Sequence, residues 1–247
     1  MGLETFTYIS SLVTTNPTVT DLRSEGDDHL RGIKTAVKAS FPNVAGAVAA
    51  SDVELGYCDG VTGPIQDQLK GNWRLLQTQD ASSSSAITFV NGVSGAVLSS
   101  TYDAYEIMLT SVVPGTDAVN LLLRTSTNAG SSYDSGASDY RYDYQQVVSG
   151  TASASGATTT SVIVNGATTL GSSTSEVLHG VIRIFKPSAA SDLVIYSELT
   201  FINSAGNLVM VRTVGRRATA ADVDAVQFSM SSGNIASGTF ALYGRIK

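Results

Sequence analysis

Four tyrosines and a few carboxylates are the side chains here best suited to holding a ligand. Tyr140, Tyr142 and Tyr144 alternate with Arg141 and Asp143. On a β-strand the three rings would therefore share one face and the charged pair the other. Tyr133 and Asp139 lie just upstream. Tyrosine rings can stack on the apolar faces of sugars while hydroxyls and carboxylates bond the sugar hydroxyls. Tyr133, Tyr140, Tyr142, Tyr144 and Asp139 are thus the candidate glycan-binding set. The same pattern also suits tyrosines packed in a core or between subunits, with hydroxyls at the rim.

Catalytic constellations are thinner. Glycoside hydrolysis needs two carboxyl groups facing each other across a cleft. Asp103 with Glu106, or Asp139 with Asp143, could supply them, but nothing nearby marks either pair in a chain with 21 acidic residues. His29 and His179 have no partner motif, and Cys58 lacks a His–Asn or His–Asp set. One cysteine and two histidines leave no disulfide framework and almost no protein-only zinc site. The oxygen-rich run at 128–136 lacks the acidic spacing of a calcium loop, so it reads as an ordinary long loop. Catalytic residues, cofactors and metals are all expected to be absent.

The elements that must position these residues divide the chain in two. With 247 residues, 43% hydrophobic and 15% charged, it can bury one sizeable β domain and carry an extension. Net charge is −6 and no basic run could neutralise several phosphates, so nucleic acid is not an expected partner. No stretch is apolar enough to span a membrane, and the first residues lack the pattern of a secretory signal. Synthesis in a cytoplasm is the expectation.

Residues 1–20 read as an extended arm whose apolar Phe6, Tyr8, Ile9 and Leu12 suit docking. The arm either attaches to another protein or folds back on its own assembly. Residues 21–41 predict a helix, with acids early and lysines late to complement its dipole, and Pro42 stops it. Its apolar residues Leu30, Ile33, Val37 and Phe41 form one stripe. So short a helix is marginal alone in water and must pack on the downstream domain or on copies of itself. Ser51 and Glu54 predict a capping box opening a second short helix through Leu55 to about Tyr57. Pro64 suits the start of a third helix carrying Ile65 and Leu69.

Residues 77–85 are polar and read as a linker, closing a helical module at 21–76. That separation favours copies of the helix over the β domain as the stripe's partner. Residues 86–247 predict the β domain, with strands at 86–90, 96–98, 105–113, 119–125, 140–148, 160–164, 177–185, 192–203, 208–215, 225–230 and 238–246. The small-residue run at 149–157 reads as an exposed loop. Regular short strands with polar turns predict a mainly β fold: an antiparallel β-sandwich, jelly-roll-like, behind an arm and short helices.

Two strings in the first third carry a resemblance. Gly26-Asp27-Asp28-His29-Leu30-Arg31 is followed by Glu54-Leu55-Gly56-Tyr57-Cys58-Asp59-Gly60-Val61-Thr62. In this order and spacing they resemble the N-terminal part of tailed-bacteriophage fibre proteins, with Cys58 where leucine is usual. The resemblance implies a homotrimeric virion fibre, a tail fibre attached by its N-terminus, non-enzymatic and located in the virion. Leu30, Ile33, Val37, Phe41, Leu55, Ile65 and Leu69 would then form the trimer interface. Phe6, Tyr8, Ile9 and Leu12 would attach to a tail or portal-region protein, and the C-terminal domain would meet host surface polysaccharide. A collar or head fibre, a tail adaptor without receptor role, or a polysaccharide-degrading tailspike are the alternatives.

Overall fold

The computed structural model describes residues 7–15, 19–20, 22–44, 51–56, 72–189 and 191–245. The chain forms two compact units, Met1–Ile65 and Gln66–Lys247.

In the first unit a 3-10 turn at Arg23–Glu25 runs into α1 (Gly26–Ser40). Asp27 and Asp28 sit in its first turn and both pair with Arg31, while Lys38 lies in its last turn. The face of α1 carrying His29 and Ala36 is buried. The arm is not extended throughout: Ile9–Ser11 is a 3-10 turn, and the Ile9 N–H donates to the Ser40 hydroxyl of α1 at 2.9 Å. One helix of a single turn follows, α2 (Asp52–Gly56). The expected capping box is present there. The Ser51 hydroxyl accepts from the Glu54 N–H at 3.2 Å, and the Ser51 N–H donates to Glu54 Oε2 at 2.7 Å. The expected third helix, with Cys58, Pro64, Ile65 and Leu69, lies outside the described residues, as do Phe6 and the Leu55 side chain.

The second unit is mainly β and antiparallel, in two sheets sharing one core. Its strands are β1 (Trp73–Ser84), β2 (Ile87–Val90), β3 (Ala104–Pro114), β4 (Leu121–Ser126), β5 (Tyr140–Val148), β6 (Thr151–Thr159), β7 (Val162–Ile163), β8 (Leu178–Phe185), β9 (Val194–Ile202), β10 (Leu208–Arg217), β11 (Ala225–Met230) and β12 (Ile235–Arg245). The larger sheet has the order β1-β12-β3-β8-β9-β10-β5-β6, the smaller β2-β11-β4-β7. Phe228 of β11 meets Phe240 of β12 across the core with ring centroids 5.4 Å apart. Strand β10 shows how sequence sets this packing. Val209, Val211, Thr213, Gly215 and Arg217 are buried, while Leu208, Met210, Arg212, Val214 and Arg216 are exposed. A Cβ on Gly215 would come 2.7 Å from Val162 of β7 in the other sheet.

Three expectations differ from the structure. Residues 77–85 are not a linker, since most of them belong to β1, which pairs with β12 from Trp73↔Arg245 to Ser84↔Ile235. The sandwich therefore begins near residue 73. The polar composition of β1 reflects an edge position, where half of its residues are exposed. Nor is 149–157 a loop. Ser149 and Gly150 both take positive φ, 46° and 87°, and form the two-residue turn of a β5–β6 hairpin. Strand β6 then pairs with β5 without a register break, from Val148↔Thr151 to Tyr140↔Thr159. Small residues gave no alternating signal because an outer-edge strand buries almost nothing. Residues 96–98 form no strand, although Ala96 and Leu98 are buried.

Candidate functional site

The five residues expected to bind glycan do not converge on one surface. The β5 rings point inward because β5 lies in the larger sheet with its tyrosine face toward the core. Tyr140 is fully buried, and its hydroxyl accepts the Thr125 N–H of β4 at 2.7 Å. Tyr142 is buried too, stacked on the half-buried Tyr144 at 6.4 Å between centroids. Tyr133 is half-buried, its hydroxyl bonded to Thr88 of β2 in the other sheet. Asp139 turns back on its own loop, accepting the Gly136 N–H at 2.6 Å. Burial pushes the Tyr133, Tyr140 and Tyr142 hydroxyls above the ordinary phenol range, and for Tyr133 the charge of Asp224 adds to it. The buried tyrosines are sandwich core, and no sugar ring reaches Tyr140 or Tyr142 without unfolding the sheet.

The carboxylate pairs considered for hydrolysis are likewise engaged apart. Glu106 of β3 binds Arg183 of β8 at 2.7 Å, and Asp143 binds Arg141 at 2.9 Å. In the 128–136 loop the oxygens serve the loop itself. Asn128 Oδ1 accepts the Ser132 N–H, the Ser126 hydroxyl accepts the Gly130 N–H, and Asp224 Oδ2 accepts the Ala129 N–H. His179 accepts the Ser111 N–H on Nδ1 at 3.1 Å, stitching β8 to the irregular stretch of β3.

The opposite face of the same strand is open. Two adjoining depressions of about 540 and 660 Å³ share Gln145, Ala154 and Arg212. Together they make one groove running along β5 and β6. Its first part is lined by Val147, Ala152 and Met210, its second by Asp143, Gly156, Tyr196 and Val214 together with Tyr144, the one of the five candidate residues that reaches it. The register explains its shape. Ala152, Ala154 and Gly156 of β6 stand opposite Val147, Gln145 and Asp143, which stand opposite Met210, Arg212 and Val214 of β10. Small residues on the edge strand thus lie beside larger ones inward, leaving a step. Glycine suits position 156, because a Cβ would come 2.6 Å from the Tyr142 carbonyl oxygen as well as meeting the Asp143 carboxylate.

The row Gln145–Arg212–Glu198 is wholly polar, and it lies between the mixed rows Val147–Met210–Thr200 and Asp143–Val214–Tyr196. Arg212 binds Glu198 Oε1 through Nε and Nη2 at 3.0 and 2.7 Å, which raises its proton affinity further. Sequence alternation places Arg141 and Asp143 together on one side of a strand. It carried no sign of which side would be covered, nor that residues 151–159 would form the groove's wall.

A second depression, of about 480 Å³, lies along α1 between Ile33, Lys34, Val37, Lys38, Phe41 and Val44. The stripe residues there remain exposed: Leu30 60%, Ile33 41%, Val37 45% and Phe41 55%. Tyr8 and Ile9 are exposed as well, and Leu12 is half-buried. Compared with known proteins, the chain matches no family model, no curated protein and no solved structure.

Proposed function

We propose that this chain is a non-enzymatic, homotrimeric fibre of a bacteriophage virion, a tail fibre. In this reading it is made in the bacterial cytoplasm and held to the particle by its N-terminal residues. The sandwich is presented to host surface polysaccharide. The exposed stripe on α1 carries the reading. Four large apolar side chains at helical spacing stand in water in the single chain, and helices of this length gain their stability from packing. Parallel copies joined through Leu30, Ile33, Val37 and Phe41 would cover them, with Leu55, Ile65 and Leu69 extending the seam. The resemblance of residues 26–31 and 54–62 to phage fibres supplies the trimeric order and the attachment role of Phe6, Tyr8, Ile9 and Leu12.

The strand order supports a jelly-roll reading of the sandwich. Strands β1-β12-β3-β8 face β2-β11-β4-β7, and the eight pass between the two sheets along the chain. The β5–β6 and β9–β10 hairpins then extend one sheet beyond β8. Such a unit offers broad sheet faces, which suits adhesion.

The test is made on particles. Antibody raised to the C-terminal unit should decorate purified virions at the tail and block adsorption to the host. Decoration at the head or collar with adsorption unimpaired would move the role to a collar fibre or adaptor. Absence of the chain from purified particles would overturn the reading altogether.

A further inference from the structure

We infer that the open edge of β6 is an interaction surface that pairs with β6 of a second copy of this chain. Among the described residues the two sheets end in the edge strands β1, β6, β2 and β7. Short strands, charges and bulges are the devices by which sheet edges avoid joining other chains. Three of these edges carry them. Strand β2 spans only four residues, with the Gln79 amide donating to its Thr88 carbonyl, and β7 spans two. Strand β1 shifts register between Leu75 and Gln77, carries Arg74 and Asp80, and takes positive φ at Ser83. Strand β6 has no such guard. It is nine residues long, uncharged and free of proline, it pairs with β5 without a break, and its first six residues are all exposed.

The β5–β6 hairpin fixes which backbone groups the edge presents. Its two-residue turn makes Val148 and Thr151 a hydrogen-bonded pair. Alternation along the ladder then points the N–H and C=O groups of Ala152, Ala154, Gly156 and Thr158 away from β5. No other strand lies beside them among the described residues. Their spacing is self-complementary. A two-fold axis through Ser155 sets Ala154 against Gly156 of the second copy and Ala152 against Thr158, so each outward N–H meets an outward C=O. Moving the axis by one residue, to Ala154 or Gly156, leaves one outward residue of each copy unmatched.

That match selects a second copy as the occupant. No side chain of β6 is larger than threonine and none is charged, so nothing opposes the approach. Thr151 lies opposite Thr159 of the other copy, and threonine pairs are favourable across strands. The charges next to the edge, Arg141 and Asp143, stay paired within each copy on β5. The contact is small. Stable pairs bury about 1,200–2,000 Å², and strands of small residues cover less, so pairing between free chains sets in on the order of 100 µM. It goes beyond the fibre reading and does not depend on it. In a trimer the pairing links the sandwiches of neighbouring assemblies, and in single chains it makes a dimer.

Disulfide trapping reads both the pairing and its register. Facing residues at a non-hydrogen-bonded position have Cα atoms about 4.5 Å apart, within reach of a disulfide. Full-length protein carrying Ser155→Cys in a Cys58→Ser background is oxidised at about 100 µM, the onset expected for so small a contact. A covalent pair near 51 kDa, twice the 25.6 kDa chain, is expected on a denaturing gel. Ser153→Cys, whose copies would lie out of register, should give at least about tenfold less. Adding Ala154→Pro to Ser155→Cys should also cut the trapped pair at least about tenfold at unchanged Tm, since that N–H bonds nothing within the chain. If Ala154→Pro lowers Tm, Ala154→Lys, which sets like charges on facing strands, replaces it. Thr78→Lys on the β1 edge should change nothing. Equal trapping through Ser153→Cys, no trapping through Ser155→Cys, or trapping undiminished by the edge variant would overturn the inference. Sedimentation at low concentration separates it from the fibre reading. A monomer that is still trapped rejects the trimer and keeps the pairing, and a trimer that is not trapped does the reverse.

Discussion

Replacing Ile33 and Val37 together by serine should dissolve the assembly without unfolding either unit. The two side chains are 41% and 45% exposed in the single chain. Burying such a side chain completely contributes about 1.5–3 kcal/mol, so covering the exposed part contributes about 1 kcal/mol each. Removing both therefore weakens a trimer by about 2 kcal/mol per chain and about 6 kcal/mol in all, close to 10⁴-fold in the association constant. Serine has nearly the helix propensity of isoleucine and valine, so the intrinsic tendency of α1 to form is unchanged. The buried face carrying His29 and Ala36 is untouched. Sedimentation velocity at micromolar concentration should show the natural chain near 77 kDa, about three times its 25.6 kDa, and the double variant near the single-chain mass. Far-ultraviolet circular dichroism should be superimposable apart from fraying of α1. A natural chain sedimenting as a monomer, or a variant that still sediments as a trimer at high dilution, would refute the stripe as the interface.

Other tests follow from the sandwich and its symmetry. Tyr140→Phe strands the buried Thr125 N–H, which should cost about 1–3 kcal/mol and lower Tm by several degrees while leaving glycan binding unchanged. Loss of binding at unchanged Tm would return the tyrosine row to the site. Gly215→Ala forces a Cβ against Val162 and should destabilise by about 1–3 kcal/mol in urea unfolding, whereas a neutral result would mean that the sheets separate there freely. Burial raises the Tyr105 and Tyr140 hydroxyls above the unfolded phenol value near 10. Their contribution is whole below about pH 10 and is lost as pH climbs toward the folded values, because the native state then holds more protons. Thermal unfolding followed from pH 8 to 11 should show that fall, shallower in Tyr140→Phe; identical slopes would contradict it. If the fibre is trimeric, the Ile33→Ser, Val37→Ser variant should bind immobilised host polysaccharide at least about a hundredfold more weakly than the trimer, through lost avidity. Equal binding in surface plasmon resonance would rule avidity out.

Local chemistry was readable wherever a segment specifies itself. The α1 stripe and its acidic first turn and the Ser51–Glu54 capping box appear in the structure as expected. The hairpin loop between β9 and β10 is equally local, with Asn203 Oδ1 accepting the Ala205 and Asn207 N–H groups. In each case a period, a cap or a turn residue acts over a few positions. What tertiary structure alone decided concerns strands whose order comes from a neighbour. Residues 77–84 and 151–159 carry little hydrophobic signal, because edge strands bury little. They become strands by hydrogen bonding to β12 and β5.

Facing was undecided for the same reason. Alternation showed that Tyr140, Tyr142 and Tyr144 oppose Arg141 and Asp143, but a period of two has no inside. Only the second sheet, packing β4 against the Tyr140 hydroxyl, made the tyrosines core and turned Asp143 and Gln145 toward solvent. The groove then arose between strands far apart in the chain, from small residues on β6 beside large ones on β10, a relation that exists only once register brings Ala154, Gln145 and Arg212 into one row.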